Sequence, residues 1–394
     1  MRGNPVFVML WVLGLGASIC LPLLNVAPNR LVSGQGVALL DVLTTVADSS
    51  TGLTAFGLLA ATLLGFAVGL KPSRLARYGV VALAWAMVVG LVALTGAYAA
   101  HVAQLQSPIA RTSWGSAFWV LVLCLCLMAM DALHRLPWGL AVRAGVWLSL
   151  LFAVLGLLAG KGCEQLAIMK EYANHAETFM PAILRHLQIV VLALLPSLCL
   201  GLPLGWLLNR HVVWQSWLLP PLNIIQTIPS IALFGLLMVP LAWMASHWPG
   251  LAALGVSGIG VAPAVVALTL YSLLPVVRGT QAGLAQVPSA VLDAAQGMGM
   301  NTWQIFWGAQ LPLALPVVLA GVRTAAVQTV GLAAVAALIG AGGLGAIMFD
   351  GLFGNAQDVV LLGVLPILGM ALVVNLLFAL LDEWTQAPVQ RVAP

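Results

Sequence analysis

Long apolar runs separated by short polar breaks make up almost the whole chain. Ten are countable, at roughly 6–24, 53–70, 78–100, 116–133, 141–159, 183–208, 217–240, 261–280, 313–338 and 359–381. Each is near the ~20 residues with which an α-helix crosses a bilayer. In hydrocarbon, only a helix or a closed barrel satisfies its own backbone polar groups. The pattern predicts an all-α integral membrane protein of about ten transmembrane helices. Trp114, Trp119, Trp138, Trp214, Trp217, Trp243, Trp248 and Trp384 fall near the ends of these runs, as interfacial belts require. The first run is long for a signal-peptide core and no Ala-x-Ala follows it, so it is expected to remain as an uncleaved first span.

The polar breaks divide the chain. A stretch at 161–182 is the longest, and is expected to be an interfacial linker between a five-span front and a five-span back. A second break, 281–312, contains DAAQGMGMNTWQIFWGAQLP from Asp293 to Pro312. Residues 289–299 are expected to form one short helix, with Ser289 placed to cap it. Ala294 and Ala295 are small enough for close approach of a partner helix, Gly299 lets the chain reverse, and Pro312 is expected to open the next span.

This segment resembles the EAA loop of ABC importer permeases, onto which the ATP-hydrolysing subunit docks. Asp293, Ala294, Ala295, Gly299, Leu311 and Pro312 fall on the pattern. Asp293 stands where Glu is usual, and Ala309 where an apolar β-branched residue is expected. QTIPSIALFGLL (226–237), YSLLPVVRGTQAGL (271–284) and LIGAGGLGAIMFDGL (338–352) resemble the quaternary-amine branch, which imports glycine betaine, choline and related osmoprotectants. The front half is similar to YehY-type permeases.

The resemblance implies a type-1 (MetI-like) permease core at 183–381 carrying a cytoplasmic docking loop at 281–312. It also implies an N-terminal extension at 1–160, a periplasmic linker at 161–182 and a cytoplasmic tail at 382–394. The implied partners are a cytoplasmic ABC ATPase, a second permease (itself or a relative) and a periplasmic substrate-binding protein. The implied home is a bacterial inner membrane. No cofactor is expected on this chain, ATP being bound by the partner subunit.

Composition agrees with the membrane reading: 62% of the 394 residues are apolar and 7% charged, against about 25% charged in soluble domains. Basic residues set the orientation. With a cytoplasmic N-terminus, Arg2, Lys71, Arg74, Arg77, Arg135, Arg143, Arg210, Arg278 and Arg391 lie inside, and Arg30, Arg111, Lys161, Lys170 and Arg185 outside. This positive-inside excess puts both termini and the 281–312 loop in the cytoplasm, where ATP is. The modest basic balance is explained by orientation and calls for no nucleic-acid partner. Five cysteines without a Cys-x-x-Cys and six scattered histidines give no metal-site spacing.

Candidate chemistry is sparse. Asn223, Gln226, Thr227 and Ser230, spaced by three, four and seven, are expected on one face of a single seventh span. Polar groups in hydrocarbon need partners, so this face either lines the translocation path or joins helices. Arg323, eleven residues past Pro312, lies about 16 Å along its helix and is expected to meet a carbonyl or a polar neighbour such as Gln328, or the cavity. Asn375 in the last span carries the same alternatives. Tyr271, Trp243 and Trp248 are the aromatics available to a quaternary ammonium. Gly340, Gly342, Gly343 and Gly345 follow no strand and precede no Lys-Ser/Thr, so a tight or re-entrant turn is expected rather than a nucleotide site. Gly201 and Gly205 form a small-xxx-small pair. No phosphate loop exists for ATP hydrolysis, and no carboxylate pair lies within a span. An ion- or proton-coupled carrier therefore has little to work with, and DALHR at 131–135 is thin support for a lipid-modifying enzyme.

Overall fold

Residues 5–29, 32, 34–46, 73–107 and 109–390 are described by the structure, a computed structural model. The apolar runs are helical because the helix alone satisfies every backbone donor and acceptor of a segment locally. Among the described residues, eight helices are long and apolar enough to cross a bilayer. The run at 53–70 and Lys71 lie outside the described residues, as do Arg2, Arg30 and Arg391. The chain forms two units, Met1–Asn174 and His175–Pro394.

The first unit holds α1 (Pro5–Cys20), β1 (Leu24–Ala27), β2 (Gln35–Val37), α2 (Leu39–Val46), α3 (Arg74–Leu105), β3 (Arg111–Trp114), α4 (Ser116–His134), α5 (Leu140–Ala159) and α6 (Ala167–Asn174). Phe7 and Leu10 of α1 pack with Val80 and Val81 of α3 and Cys124, Met128 and Leu133 of α4. At one end of these helices lies a small antiparallel sheet in the order β2-β1-β3, with Leu24 opposite both Val37 and Trp114. Hydropathy does not foresee this sheet, since strands of three or four residues leave too short a period-2 signal to read. Trp114 anchors it by donating from Nε1 to the buried Thr95 hydroxyl of α3 at 3.1 Å.

An ion pair ties α6 to β3: Arg111 Nη1 meets Glu171 Oε1 at 2.7 Å, with Glu171 only 2% exposed. Removing one partner of so buried a pair costs about 3–5 kcal/mol, because the remaining charge is stranded. Beside it Lys170 Nζ donates to the Ala110 carbonyl at 2.8 Å. Burial, and then the neighbouring Arg111, push the Lys170 ammonium below its usual range. The polar stretch at 161–182 is thus largely structured: it contains α6 and the first turns of α7 (Ala176–Arg210).

The second unit continues with α8 (Val212–Thr227), α9 (Ser230–His247), α10 (Pro249–Ala253), α11 (Val261–Ala285), α12 (Ser289–Gly297) and α13 (Thr302–Ile305). A π-turn at Phe306–Gln310 leads into α14 (Leu311–Ala333). A 3-10 turn at Val335–Ile339, α15 (Leu344–Phe353) and α16 (Gln357–Gln390) complete it. Helix α11 is central, packed between α7 and α14, and small residues make this possible. A Cβ at Gly201 would stand 2.7 Å from Val276 and one at Gly205 2.5 Å from Thr280, so the Gly201/Gly205 pair is the α7 face against α11. On the other side Gly279 and Gly321 meet backbone to backbone. The core adds Ile189, Phe234, Leu268, Tyr271, Val330 and Leu344.

The glycine cluster makes the expected tight turn. Gly340, Gly342 and Gly343 have φ of +81°, +78° and +81°, a region open to glycine at no steric cost. Gly343 sits against the backbone of the fully buried His186, whose Nε2 lies 3.0 Å from the Val330 carbonyl.

One expectation is overturned. The run at 217–240 is two helices, α8 and α9, separated at Ile228 and Pro229. Pro229 lacks an N–H and its ring drives the preceding residue out of the α region; Ile228 accordingly has φ −70° and ψ 130°.

Candidate functional site

Two places in the second unit gather the residues singled out by sequence. The first is the connection between α11 and α14. After α11 the chain turns at Pro288 into α12, whose N-cap position is Pro288 itself, with no side-chain cap. Ser289 is therefore the first helical residue and caps nothing: the preceding proline already holds φ at −60° in the extended approach a cap residue adopts. Helix α12 ends at Gly297, and two residues on Gly299, with φ of +83°, reverses the chain, as its place in the sequence predicts. The next turn is closed by a reciprocal capping box. Asn301 Oδ1 accepts from the Gln304 N–H at 2.9 Å, and Gln304 Oε1 accepts from the Asn301 N–H at 2.8 Å.

The result is a short two-helix knob bolted to the long helices. Leu292 and Phe306 pack on a buried cluster of Leu284, Val287, Ala314, Val318 and Val322, and Ala295 is buried on the inner face of α12. Asp293, Ala294 and Gly299 face outward. So do three large apolar side chains, Met298 at 75%, Trp303 at 66% and Trp307 at 53% exposure. Sequence reasoning passed over these three, although two tryptophans four apart in a polar break were a visible signal.

Leu311 and Pro312 do not open a new helix. They lie inside a rod that runs from Thr302 through the π-turn into α14. The Leu311 N–H bonds the Phe306 carbonyl five residues back, and Pro312 after it has no N–H to extend the ladder. The π register carries the chain across that missing donor, so the knob and α14 form one continuous lever.

The second place is the break between α8 and α9. Asn223, Gln226 and Thr227 occupy the last turns of α8, whereas Ser230 starts α9, so the four do not share one helical face. The extended residues at 228–229 interrupt the 3.6 period on which that expectation rested. The side chains are also separately engaged. Asn223 Oδ1 accepts from Arg278 Nη2 at 2.8 Å, and Thr227 bonds its own helix at the Ile224 carbonyl. Gln226 Nε2 donates to the Tyr271 carbonyl, and its Oε1 lies 3.4 Å from Gln328 Nε2. Tyr271, 4% exposed, donates from its hydroxyl to the Ile228 carbonyl, a group the break leaves without a helical partner.

Three helices are thereby clasped at this point: α8 by Gln226, α11 by Tyr271 and α14 by Gln328. Arg323 lies on α14 but its Nε donates to Asn375 Oδ1 on α16 at 2.7 Å. Its partner is thus Asn375 rather than Gln328, because α14 and α16 lie side by side. Amides line the break, and the Arg278 cation stands beside it on Asn223 Oδ1, whereas Arg323 is held by Asn375. Trp243 and Trp248 stand elsewhere, at the far end of α9, edge to face with centroids 5.7 Å apart.

Comparison with known proteins follows this division. Residues 3–169 match the family described as ABC transporter permease YehY, N-terminal domain, and residues 197–387 match Binding-protein-dependent transport system inner membrane component. The osmoprotectant import permease protein OsmW of Salmonella typhimurium is 42% identical over 195 residues, covering 48% of this chain and 84% of that one. The glycine betaine/carnitine/choline transport system permease protein OpuCD of Bacillus subtilis is 33% identical over 56% of this chain and 89% of its own length. Among solved structures, an inward-facing MetNI methionine ABC transporter is 23% identical with a TM-score of 0.44, covering 54% of this chain and 98% of that one, a likeness too loose to build on.

Proposed function

Since the chain belongs to the inner-membrane permeases of binding-protein-dependent ABC transporters, we propose that it carries glycine betaine or a related quaternary amine inward across a bacterial inner membrane. A separate cytoplasmic ATPase drives it, a periplasmic binding protein delivers the solute, and a second permease, identical or related, completes the path. The chain itself hydrolyses nothing and holds no cofactor. Both termini and the 281–312 connection face the cytoplasm, in keeping with the excess of basic residues on that side.

The observation that carries this reading is the knob at 288–305. It is anchored through Leu292, Ala295 and Phe306, and continuous with α14. Force applied to its outward face (Asp293, Ala294, Gly299 and the exposed apolar trio) moves α11 and α14 together, since both leave the same buried cluster. These helices also carry Tyr271 and Gln328, which clasp the α8 break. Motion of the knob is therefore delivered to the amide-lined point where Asn223, Gln226, Thr227 and Ser230 interrupt the apolar wall. That is alternating access biased by nucleotide on a partner. A quaternary ammonium is drawn by its charge to the oxygen ends of amide and carbonyl dipoles, which the break supplies; Arg278 is held to one side by Asn223 and Arg323 by Asn375.

The test is uptake of labelled glycine betaine in cells expressing the chain with and without its ATPase. Import that needs the ATPase and fails with Asp293→Arg/Gly299→Arg, while the protein stays in the membrane, is the expected result. Uptake by the chain alone would instead establish an ion-coupled carrier.

A further inference from the structure

The first unit has a cationic end with no assigned task. Arg74 and Arg77 begin α3, Arg135 follows α4 and Arg143 lies in the first turn of α5. Across 73–78 and 131–143 the only carboxylate is Asp131. Three of these arginines converge on one short loop. Arg77 Nη1 donates to the Arg135 carbonyl at 2.8 Å and Arg143 Nη2 to the Leu136 carbonyl at 3.2 Å. Arg135 grips Asp131 through Nε at 3.1 Å and Nη2 at 3.0 Å. A guanidinium has five N–H donors; among the described residues Arg77 and Arg143 use only some of theirs, Arg143 Nη1 lying 3.4 Å from His134 Nδ1 and its buried Nε having no acceptor. Orientation in the membrane requires basic residues on one side, but it does not require them to gather on a single loop.

What adjoins this cluster is apolar. The seam between α3, α4 and α5, formed by Val81, Trp85, Leu125, Val146, Trp147 and Leu150, is closed to all but about one water and begins one turn from Arg77 and Arg143. Tyr78, next to Arg77 in the chain, pairs with Trp138 at 5.2 Å between centroids, and such rings favour the level of lipid headgroups. Helix α5 presents Phe152 and Leu155 outward, at 68% and 51% exposure.

We propose that this end of the first unit is a binding site for one anionic phospholipid. Its phosphate lies beside Arg77, Arg135 and Arg143, and one acyl chain lies along the exposed face of α5 past Phe152 and Leu155. The chemistry recognised is a phosphate monoanion with a hydrocarbon tail: the clustered positive charge attracts the phosphate, and basic pockets between helices at the cytoplasmic face hold anionic headgroups. A free phosphate would use the arginines and leave the apolar face of α5 idle.

The full chain, purified in detergent, is titrated with phosphatidylglycerol or phosphatidylcholine, and bound lipid is counted by native mass spectrometry. Phosphatidylglycerol is expected to bind in preference, with one lipid retained per chain. Arg77→Gln/Arg143→Gln should weaken phosphatidylglycerol about thirtyfold, the worth of two basic side chains beside an anionic surface, and leave phosphatidylcholine unchanged. Arg77→Lys/Arg143→Lys, which keeps the charge, should retain most of the affinity and decides the matter if the glutamine pair does not fold. Equal binding of the two lipids to the native chain would overturn the proposal. So would native affinity in the glutamine pair, loss of affinity in a folded lysine pair, or displacement of the lipid by inorganic phosphate at matching concentration.

Discussion

Gly321→Ala puts the lever itself to the test. Helices α11 and α14 cross at Gly279 and Gly321, immediately behind the knob that connects them. A Cβ on Gly321 would lie 2.7 Å from Gly279 Cα and 2.7 Å from the Pro275 carbonyl oxygen, while a Cβ on Gly279 would lie 2.6 Å from Gly321 Cα. Carbon atoms rest about 3.5–4.0 Å apart, so the two backbones must part by about 0.8 Å or more. Both obstacles are backbone, and no side chain can rotate to make room. Such overpacking costs about 1–3 kcal/mol. Gly156→Ala is the control: it lies on α5 with nothing within 4 Å of the new Cβ, and removing a helical glycine there should gain about 0.5–1 kcal/mol.

The assay pairs thermal unfolding of the chain in lipid nanodiscs with ATPase-driven uptake in proteoliposomes. We expect Gly321→Ala to lower the unfolding temperature and reduce uptake per ATP hydrolysed while the ATPase still binds, because the knob is intact and only its connection to α11 is spread. If Gly321→Ala unfolds at the same temperature as Gly156→Ala and transports normally, the crossing does not hold the helices and the lever argument fails.

Further perturbations probe the clasped break, the Arg323 pair and the knob. Tyr271→Phe strips the Ile228 carbonyl of its donor and should cost about 1–3 kcal/mol, the price of a buried unsatisfied acceptor, with slower uptake; unaltered melting and transport would remove the clasp. Asn375→Leu leaves the Arg323 guanidinium without its 2.7 Å partner and should destabilise by a similar ~1–3 kcal/mol. Arg323→Leu/Asn375→Leu should recover most of that loss, and a strictly additive double variant would show that the two side chains do not act as a pair. Gly299→Ala places a Cβ at φ +83°, a strain of about 1–2 kcal/mol, and should weaken ATPase association in pull-down. Gly297→Ala, which meets nothing within 4 Å, should leave association unchanged; equal effects would separate the turn from docking.

The resemblance and the fold class were legible in one dimension because both rest on local signals. A span is a run of apolar residues long enough for the hydrocarbon, and the EAA-like segment is a contiguous string of twenty residues. The reversal at Gly299 and the turn at Gly340–Gly343 were legible for the same reason, since a left-handed φ is a property of one residue. Contacts between distant segments were not. Arg323 finds Asn375 and Asn223 finds Arg278 across 52 and 55 residues, and nothing local to an arginine specifies which amide will face it. Gly279 and Gly321 look like ordinary helical glycines until the two helices cross.

Where sequence reasoning went astray, it extended a regular period through a local exception. The polar stripe at 223–230 needed an unbroken helix, and Pro229 ended it. Pro312 looked like a helix start, yet the π-turn before it let the helix pass through. Hydropathy and motif therefore determined that this chain lives in a membrane and belongs with the permeases of ABC importers. Which polar groups meet, and which glycines let helices touch, only the packed structure decided, because those energies depend on distances between residues far apart along the chain.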